Sequence, residues 1–574
     1  MCGITGLVVF KPESLADPQA LVRTMVESLS HRGPDDVGVF RDGHVYFGHA
    51  RLSIIDVEGG HQPIFSDQGD AIIGNGEIYN YVELKEALPP HPYHSDSDFE
   101  PALYAFLEKG MTAWRGMYAA AVWEKKTDTI SVMRDPFGIK PLYYVSTPDY
   151  LAFASEPRAL IKAGFSKGEL STQNVLSTMN LNYLPFDDTL YKDIKRYMPG
   201  QHQTLDQKTS TVKQSAAPLS FTQKRFDYHT PLETFDQIFE DSIKVHQRSD
   251  VPYGLFLSGG IDSTSILTMM ARLNDKPIKT YTCGFDSNAV HDEREGAAAA
   301  ARYFKTDHHE TIFTYEDFVT LLPQIMWAFD DLTFDAAILP TYKLAAMAKK
   351  DVKVVLSGEG GDEVLAGYGR YRKFCRPRLL GGGRFSTNRC LSSVALKEKW
   401  QDPLLSYQDE LLRDQTLTTL QKAQVADIKG WLAPDLLLKL DRCLMAHSLE
   451  GRTPFLDKEV FDFGFHLPQK YKIKNRKGKW LLREWLAKHC PVAEPFARKK
   501  GFSVPVAAWL EKDKATFVSL LQKNEGLLRL MDKGQIALGL EDARAAWPLL
   551  VYAVWYQVHI QGKDPSQDVF SILG

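Results

Sequence analysis

The sequence predicts two unlike halves: a sheet-rich α+β unit first, then an α/β unit with a parallel sheet, closed by a helical region. Three observations carry this. Up to about residue 200 the chain is built of short alternating apolar runs, among them HVYFGHARLSII, DAIIGNGEIYN and AAAVWEKKTDTISVMRD, with closely spaced turn residues between them. Beyond residue 228 strand-like and helical runs alternate, the pattern of a parallel sheet with helices on its faces. From 397 onward the pattern is mostly helical.

In chain order, a strand follows Cys2-Gly3, and a helix is expected over Pro18–Ser30. Another is expected over Asp98–Lys109, where Phe99, Leu103, Phe106 and Leu107 share a face. The run LYYVSTPDYLAFAS continues the sheet pattern. The segment DQKTSTVKQSAAPLSFTQKRF is polar and poor in large apolar residues, which places a linker at 206–227 between domains 1–205 and 228–574. A helix over Pro231–Arg248 leads into the strand YGLFL, a Gly-rich turn and the helix STSILTMMARL. The strand IKTYTCGF, the helix EGAAAAARYF, a long helical region 317–350 and the strand VKVVLSG follow. GGGRFSTNR at 381–389 reads as a mobile loop, and WPLLVYAVW at 547–555 as a buried helix too short to span a bilayer.

Composition narrows the function classes. Of 574 residues, 44% are hydrophobic and 24% charged, an ordinary globular balance that excludes a disordered tail, a collagen-like repeat or a coiled coil. Lys+Arg 68 against Asp+Glu 72 leaves a net charge of -4, so no nucleic-acid partner is expected. The six cysteines, at 2, 283, 375, 390, 443 and 490, form no CxxC pair; neither a disulfide framework nor a thiolate zinc site is expected. Reduced thiols point to the cytoplasm. The N-terminus lacks a basic n-region, and no apolar run approaches membrane-spanning length, so neither a signal peptide nor a membrane association is expected. His308 and His309 are adjacent on a strand-like run and would point to opposite faces, which argues against a metal pair.

Chemistry first shows at Cys2. Once Met1 is removed, this residue carries a thiol and a free α-amine, and an amine of pKa ~7.7–8.0 can act as base for its own nucleophile. The plainer alternative is a small buried apolar residue, but a strand starting at once would hold the chain start in a sheet. A thiol that hydrolyses amides needs donors for the tetrahedral oxyanion. The Asn75 side-chain amide and the Gly76 N–H can supply them. An amino-acid substrate needs a guanidinium for its carboxylate and a carboxylate for its ammonium. Arg51 and Asp98 are the candidates, each equally readable as a solvated surface charge.

Two Gly-rich loops follow strands in the second half. In Ser258-Gly259-Gly260-Ile261-Asp262-Ser263-Thr264 the turn N–H groups and a helix N-terminus can cradle an anion, and the hydroxyls add donors. Asp262 suits a ligand of Mg²⁺ bridging phosphate oxygens. No Walker lysine and no GxGxxG spacing are present. Ser357-Gly358-Glu359-Gly360-Gly361-Asp362-Glu363 repeats the pattern after another strand, as a nucleotide site across parallel strands would use. Asp262 and Asp362 could share the metal. Lys499, in RKKGFSVP, offers a cation for charge on a phosphate, although the run Arg498-Lys499-Lys500 equally reads as solvated.

Read together, MCGI, HRGPD, RLSIID, GHQP, NGEIYNY, SDFE and RDPFGIKPLYY resemble the class II glutamine amidotransferase domain, an Ntn hydrolase. The resemblance implies a sandwich of antiparallel sheets with flanking helices. It also implies attack by Cys2 on the glutamine side-chain amide and a glutamine site of Arg51, Asn75, Gly76, Glu77 and Asp98. The SGGIDS loop resembles that of the ATP pyrophosphatases. With SGEGGDE, GRTPFLDKEV and KKGF, the second half resembles the synthetase domain of the glutamine-dependent asparagine synthetase family. This resemblance implies that Phe256, Ser258, Gly259, Gly260, Asp262, Ser263, Cys283, Ser357 and Gly358 border ATP, and that Asp262 and Asp362 bind Mg²⁺. Glu359 and Glu363 would be acids of the synthetase site, and Lys499 would stabilise the adenylation transition state. The small-molecule partners implied are glutamine, aspartate and ATP; a homodimer is left open.

The match departs from the family at two places. Cys283 stands where the family often has an aliphatic residue. Phe329–Thr341 resembles the branch carrying DEP…DxSxxP but has Ala337 where that branch usually has Ser, and the Thr- and Arg-bearing stretch of the other branch is absent. An acceptor other than aspartate, a peptide, sugar-acid or secondary-metabolite carboxylate, is therefore the alternative. A non-catalytic nucleotide-binding relative is disfavoured by intact Cys2, Arg51, Asn75, Asp98, Asp262, Asp362 and Lys499.

Overall fold

The computed structural model describes residues 2–206, 211–216, 219, 221, 224, 226, 229–287, 293–385, 388–497 and 503–574. The N-terminal strands are β1 (Gly3–Val9), β2 (Asp36–Asp42), β3 (Val45–Arg51), β4 (Ile64–Phe65), β5 (Ala71–Ile78), β6 (Gly116–Glu124), β7 (Thr129–Arg134), β8 (Tyr143–Ser146), β9 (Tyr150–Ala154), β10 (Lys195–Arg196), β11 (Gln201–Asp206) and β12 (Thr211–Ala216). They form two antiparallel six-stranded sheets, in the orders β10-β8-β9-β1-β3-β2 and β12-β11-β7-β6-β5-β4.

The alternation of the strands explains the layering, because successive side chains point to opposite faces. Ile4 and Val8 of β1 and Val45 and Phe47 of β3 pack against Ala71, Ile73, Ala119, Ala121 and Val132 of the other sheet. The intervening residues face helices. Leu7, Val9 and Tyr46 meet the helix Pro18–Glu27 through Val22, Met25 and Val26. Ile72 and Ile78 meet the helix Phe99–Lys109 through Phe99, Leu103 and Phe106. The result is a helix–sheet–sheet–helix sandwich, as expected. β12 lies within the stretch read as a linker; it pairs with β11 from Gln201↔Ala216 to Asp206↔Thr211 and prolongs the second sheet.

The second half holds a five-stranded, wholly parallel sheet of β13 (Tyr253–Phe256), β14 (Lys279–Phe285), β15 (Asp307–Phe313), β16 (Val354–Leu356) and β17 (Glu450–Arg452), in the order β15-β14-β13-β16-β17. The chain leaves β13 first to one side and later returns to the other. The loops after the adjacent strands β13 and β16 therefore meet at a topological switch point, where open parallel sheets bind ligands.

The expected helical region 317–350 is two helices, Tyr315–Ala328 and Ile338–Ala348. The break between them follows from buried carboxylates: Asp330 and Asp331 are fully buried and engaged with the N-terminal half. The run 547–555 lies within the buried helix Ala543–His559, whose Trp547 and Trp555 indole N–H groups donate to the Phe334 and Phe329 carbonyls at 2.8 and 2.6 Å. That helix clamps the break from outside. Among the described residues no helix is long and apolar enough to cross a membrane.

Candidate active sites

Cys2 precedes β1, in the neighbour of the strand that ends in Arg51. Its thiol is buried, and burial raises its pKa above the ordinary value, against a Leu52 backbone hydrogen bond and the Arg51 charge. The Cys2 nitrogen, the α-amine once Met1 is removed, donates to Asn75 Oδ1 at 3.1 Å. This fixes the Asn75 amide so that its Nδ2, buried and without a hydrogen-bond partner among the described residues, is a ready oxyanion donor. Gly76 is required sterically: its φ is +150°, and a Cβ there would lie 1.9 Å from the Met117 carbonyl oxygen.

Arg51 is buried, and its guanidinium donates to backbone carbonyls: Val57 and Ile55 at 3.2 Å and Asp56 at 2.5 Å. It makes no carboxylate pair among the described residues, so its charge is open to a substrate carboxylate. Asp98 accepts the Ile78 N–H at 2.7 Å. Burial pushes its pKa up to about 6, opposed by that hydrogen bond. Glu77 is raised well above the usual carboxylate range, by burial and then by the like charge of Asp98. Two buried acids and a buried guanidinium with no carboxylate partner among the described residues are the charge types that an amino acid's ammonium and carboxylate require.

In the second half, Gly259 at φ +70° turns the chain after β13 into the helix Ile261–Leu273. Ser258 Oγ and Ser263 Oγ are 3.0 Å apart, and Gly260 N–H donates to Ser258 Oγ at 3.2 Å. The loop after β16 packs directly on this one: a Cβ at Gly358 would sit 2.8 Å from Asp262 Cβ, and one at Gly361 2.5 Å from Asp262 Oδ1. Asp262 and Asp362 thus converge, and the Lys479 ammonium lies between them at 2.5 and 2.8 Å. Lys479 is buried; burial opposes its charge, yet the two aspartates hold its pKa above the ordinary lysine value. Phe256 ends β13 opposite Tyr281, and Cys283 lies two residues further along β14. Burial pushes the Cys283 thiol up to about 12, so it serves as packing surface.

The two loop acids part company. Glu363 is buried, accepts from Tyr368 OH at 2.7 Å and is raised to about 8, by burial and then by Asp362. Glu359 lies 3.3 Å from Lys439 Nζ, which also reaches Asp335 at 3.0 Å. Asp435 accepts from Thr333 Oγ1 and the Trp431 indole and is raised to about 7, by burial and then by Asp335. The segment 329–341 therefore divides its work. Asp335 faces this cluster, while Asp330 and Asp331 hold the halves together. Lys499 lies outside the described residues.

The halves meet through buried charge. Arg32 donates from Nε to the Cys2 carbonyl at 3.1 Å, from Nη1 to Glu156 at 2.8 Å, and from both Nη atoms to Asp441 at 2.8 and 3.0 Å. Arg442 pairs with Glu156 at 2.5 Å and Asp330 at 2.9 Å, and Arg196 with Asp331 at 2.6 Å. Helix Leu438–Met445 carries Lys439, Asp441 and Arg442, and so meets Glu359 directly and the Cys2 carbonyl through Arg32. Sequence reasoning missed Lys479 and Lys439. A lone lysine in the apolar run LLLKLD was a legible signal for Lys439; Lys479 sits in an ordinary charge run.

A glutamine amidotransferase domain model matches residues 1–215, and an asparagine synthase model matches residues 234–557. Asparagine synthetase [glutamine-hydrolyzing] 1 of Bacillus subtilis is 33% identical, over 99% of this chain and 98% of its own length. A putative asparagine synthetase [glutamine-hydrolyzing] of Mycobacterium tuberculosis is 31% identical, over 98% of each chain. A second putative one, of Methanocaldococcus jannaschii, is 33% identical over 71% of this chain and 85% of its own.

Proposed function

Since the chain belongs to the asparagine synthase family with a glutamine amidotransferase domain, and is an ATP-dependent ligase that draws nitrogen from glutamine, we propose that its acceptor is aspartate. The reaction is then ATP + aspartate + glutamine + water to asparagine + glutamate + AMP + pyrophosphate, in the cytoplasm. The observation that carries the choice of acceptor is the cluster of Lys439 with Asp335 and Glu359 beside the two loops. Its mixed charges suit a zwitterion bearing a further carboxylate. A screen of carboxylate acceptors for pyrophosphate release with glutamine and ATP tests this. Aspartate should be preferred; faster pyrophosphate release with a peptide or sugar-acid carboxylate overturns it.

At the first site the Cys2 thiol attacks the glutamine amide carbon, and its proton passes to the α-amine held by Asn75 Oδ1. Asn75 Nδ2 and the Gly76 N–H hold the oxyanion. Arg51 binds the substrate carboxylate; Glu77 and Asp98 bind its ammonium. Ammonia is mostly protonated in water at neutral pH, so passage through the buried interface keeps it nucleophilic. At the second site the loops after β13 and β16 cradle the ATP phosphates, with Phe256 and Cys283 bordering the base. The convergence of Asp262 and Asp362 fits Mg²⁺, which takes one or two carboxylates and completes its shell with phosphate and water oxygens. When bound it would neutralise phosphate charge. Lys479 supplies a fixed cation at the same place.

Asp98 must be ionised to bind an ammonium. Its pKa is raised to about 6, so the carboxylate is charged above that pH and neutral below it. The glutaminase kcat/KM for glutamine should therefore fall as pH drops through about 6, and the break should vanish in Asp98→Asn. A flat profile from pH 7 to 5 in the unmodified enzyme removes Asp98 from ammonium binding.

Asp262→Asn and Asp362→Asn each remove one negative charge while nearly keeping shape. Both should raise the Mg²⁺ concentration needed for half-maximal pyrophosphate release and lower its rate, with basal glutaminase intact. Magnesium titrations of both variants that overlay the unmodified enzyme would move the metal elsewhere.

A further inference from the structure

Glu77 is buried at 3% exposure near a second buried acid, Asp98, whose like charge acts on it. Such a pair keeps its charge only if something opposite sits against it. No cation of the N-terminal half pairs with Glu77 among the described residues. The partner is Arg452, on edge strand β17 of the other half, whose Nη2 donates to Glu77 Oε2 at 2.9 Å. Arg452 is itself fully buried and locked. Its Nε donates to Glu450 at 2.6 Å, and its Nη1 to the His246 and Arg248 carbonyls at 2.9 and 2.6 Å. Four hydrogen bonds fix the guanidinium plane, and with it the Glu77 carboxylate. The other oxygen, Glu77 Oε1, is buried and has no partner among the described residues. It is left for a ligand.

We infer that Arg452 is a positioning residue for glutamine: the synthetase half supplies the guanidinium that fixes and aims the Glu77 carboxylate, so the glutamine pocket is complete only in the docked two-half molecule. This rests on the reading that Glu77 binds the glutamine ammonium. Without Arg452, Glu77 loses the donor that aims its carboxylate and the charge that offsets Asp98, so its free oxygen is no longer held toward an ammonium. The chemistry at Cys2 is untouched, so the loss falls on KM and spares kcat. The Arg452 side chain points to Glu77 while only its carbonyl contacts the ATP loop, accepting the Ser357 N–H at 2.8 Å. Ammonia-dependent synthesis is therefore spared as well.

The test is a double-mutant cycle in the full-length enzyme, with Arg452→Met, Glu77→Gln and the double variant. Glutaminase kcat and KM are measured beside pyrophosphate release driven by ammonium chloride. Arg452→Met should raise the glutamine KM by roughly 10- to 100-fold, the effect of losing one charge-assisted hydrogen bond, with kcat within about threefold. The double variant should be no worse than Glu77→Gln, and Arg452→Lys should recover part of the loss. Independent, additive effects of the two substitutions overturn the proposal alone. An unchanged KM in Glu77→Gln overturns the glutamine reading of Glu77 and takes the proposal with it. If Arg452→Met also loses ammonia-dependent synthesis, Arg452→Lys is carried through the same cycle, and additivity there overturns the proposal.

Discussion

Cys2→Ala should lose glutamine-dependent synthesis by at least about 10⁴-fold, because removing a covalent nucleophile removes the route and not just a contact. Synthesis from ammonium chloride should continue near the unmodified rate. The expectation is sharp because Cys2 and the two ATP loops share no hydrogen bond among the described residues, although the halves share an interface. Among the described residues, Cys2 is hydrogen-bonded toward that interface through its backbone carbonyl, which Arg32 holds and which a change of the side chain leaves in place. Glutamine- and ammonia-driven pyrophosphate release, measured side by side, decide the matter. Loss of both activities would make Cys2 a structural residue. Retaining Met1 should also abolish glutaminase with the thiol still present, since the nitrogen at Asn75 Oδ1 is then an amide and no longer a base.

Lys479→Met should slow pyrophosphate release by roughly 10²- to 10³-fold, the effect of removing one fixed donor from developing charge. Glutaminase should persist, and ATP affinity should change little. The argument is positional. A buried ammonium contacts two aspartates where the phosphate-binding loops touch, and charge grows on the phosphate oxygens as pyrophosphate leaves. Lys479→Arg should fail as well, since a planar guanidinium cannot occupy a slot shaped for a point charge. Lys499→Ala and Lys500→Ala are the comparisons, because the sequence alone favours Lys499 for the same role. If Lys499→Ala is the dead variant and Lys479→Met turns over, Lys479 only neutralises the aspartates. Kinetics of release and nucleotide affinity for all four variants separate the two lysines.

The contrast between these lysines shows what a sequence carries and what it withholds. Residues that act through the backbone of a short segment were legible: Gly76, Gly259 and the paired loops are local patterns, and local geometry follows from local composition. Asn75 and Cys2 were legible for a related reason, since Asn75 is followed by a glycine that lets a ligand approach the backbone and Cys2 directly precedes a strand. Lys479 and Arg452 were not, because each acts across more than a hundred residues on a partner that only the tertiary fold brings near. Arg452 and Glu77 are 375 residues apart. The fold class followed from periodicity, whereas the break at 329–337 did not. Helical periodicity there gives way to buried carboxylates paired with Arg442 and Arg196, and no window along the chain registers such partners.

The charge lattice between the halves restricts how this architecture can be rebuilt. Arg32, Glu156 and Arg196 belong to one half, Asp330, Asp331, Asp441 and Arg442 to the other, and all are buried. Stranding one member of such a set costs roughly 3–5 kcal/mol, against a net stability of only about 5–15 kcal/mol for a domain. A chimera that joins the first half of one relative to the second half of another would strand several at once. The two halves are therefore poor interchangeable parts: substitutions at 32, 156 and 196 are tolerable only alongside matching changes at 330, 331, 441 and 442. On the proposed reading of the acceptor site, new specificity is more readily gained at Asp335, Asp435 and Lys439, whose side chains pair with one another or with other groups of the second half.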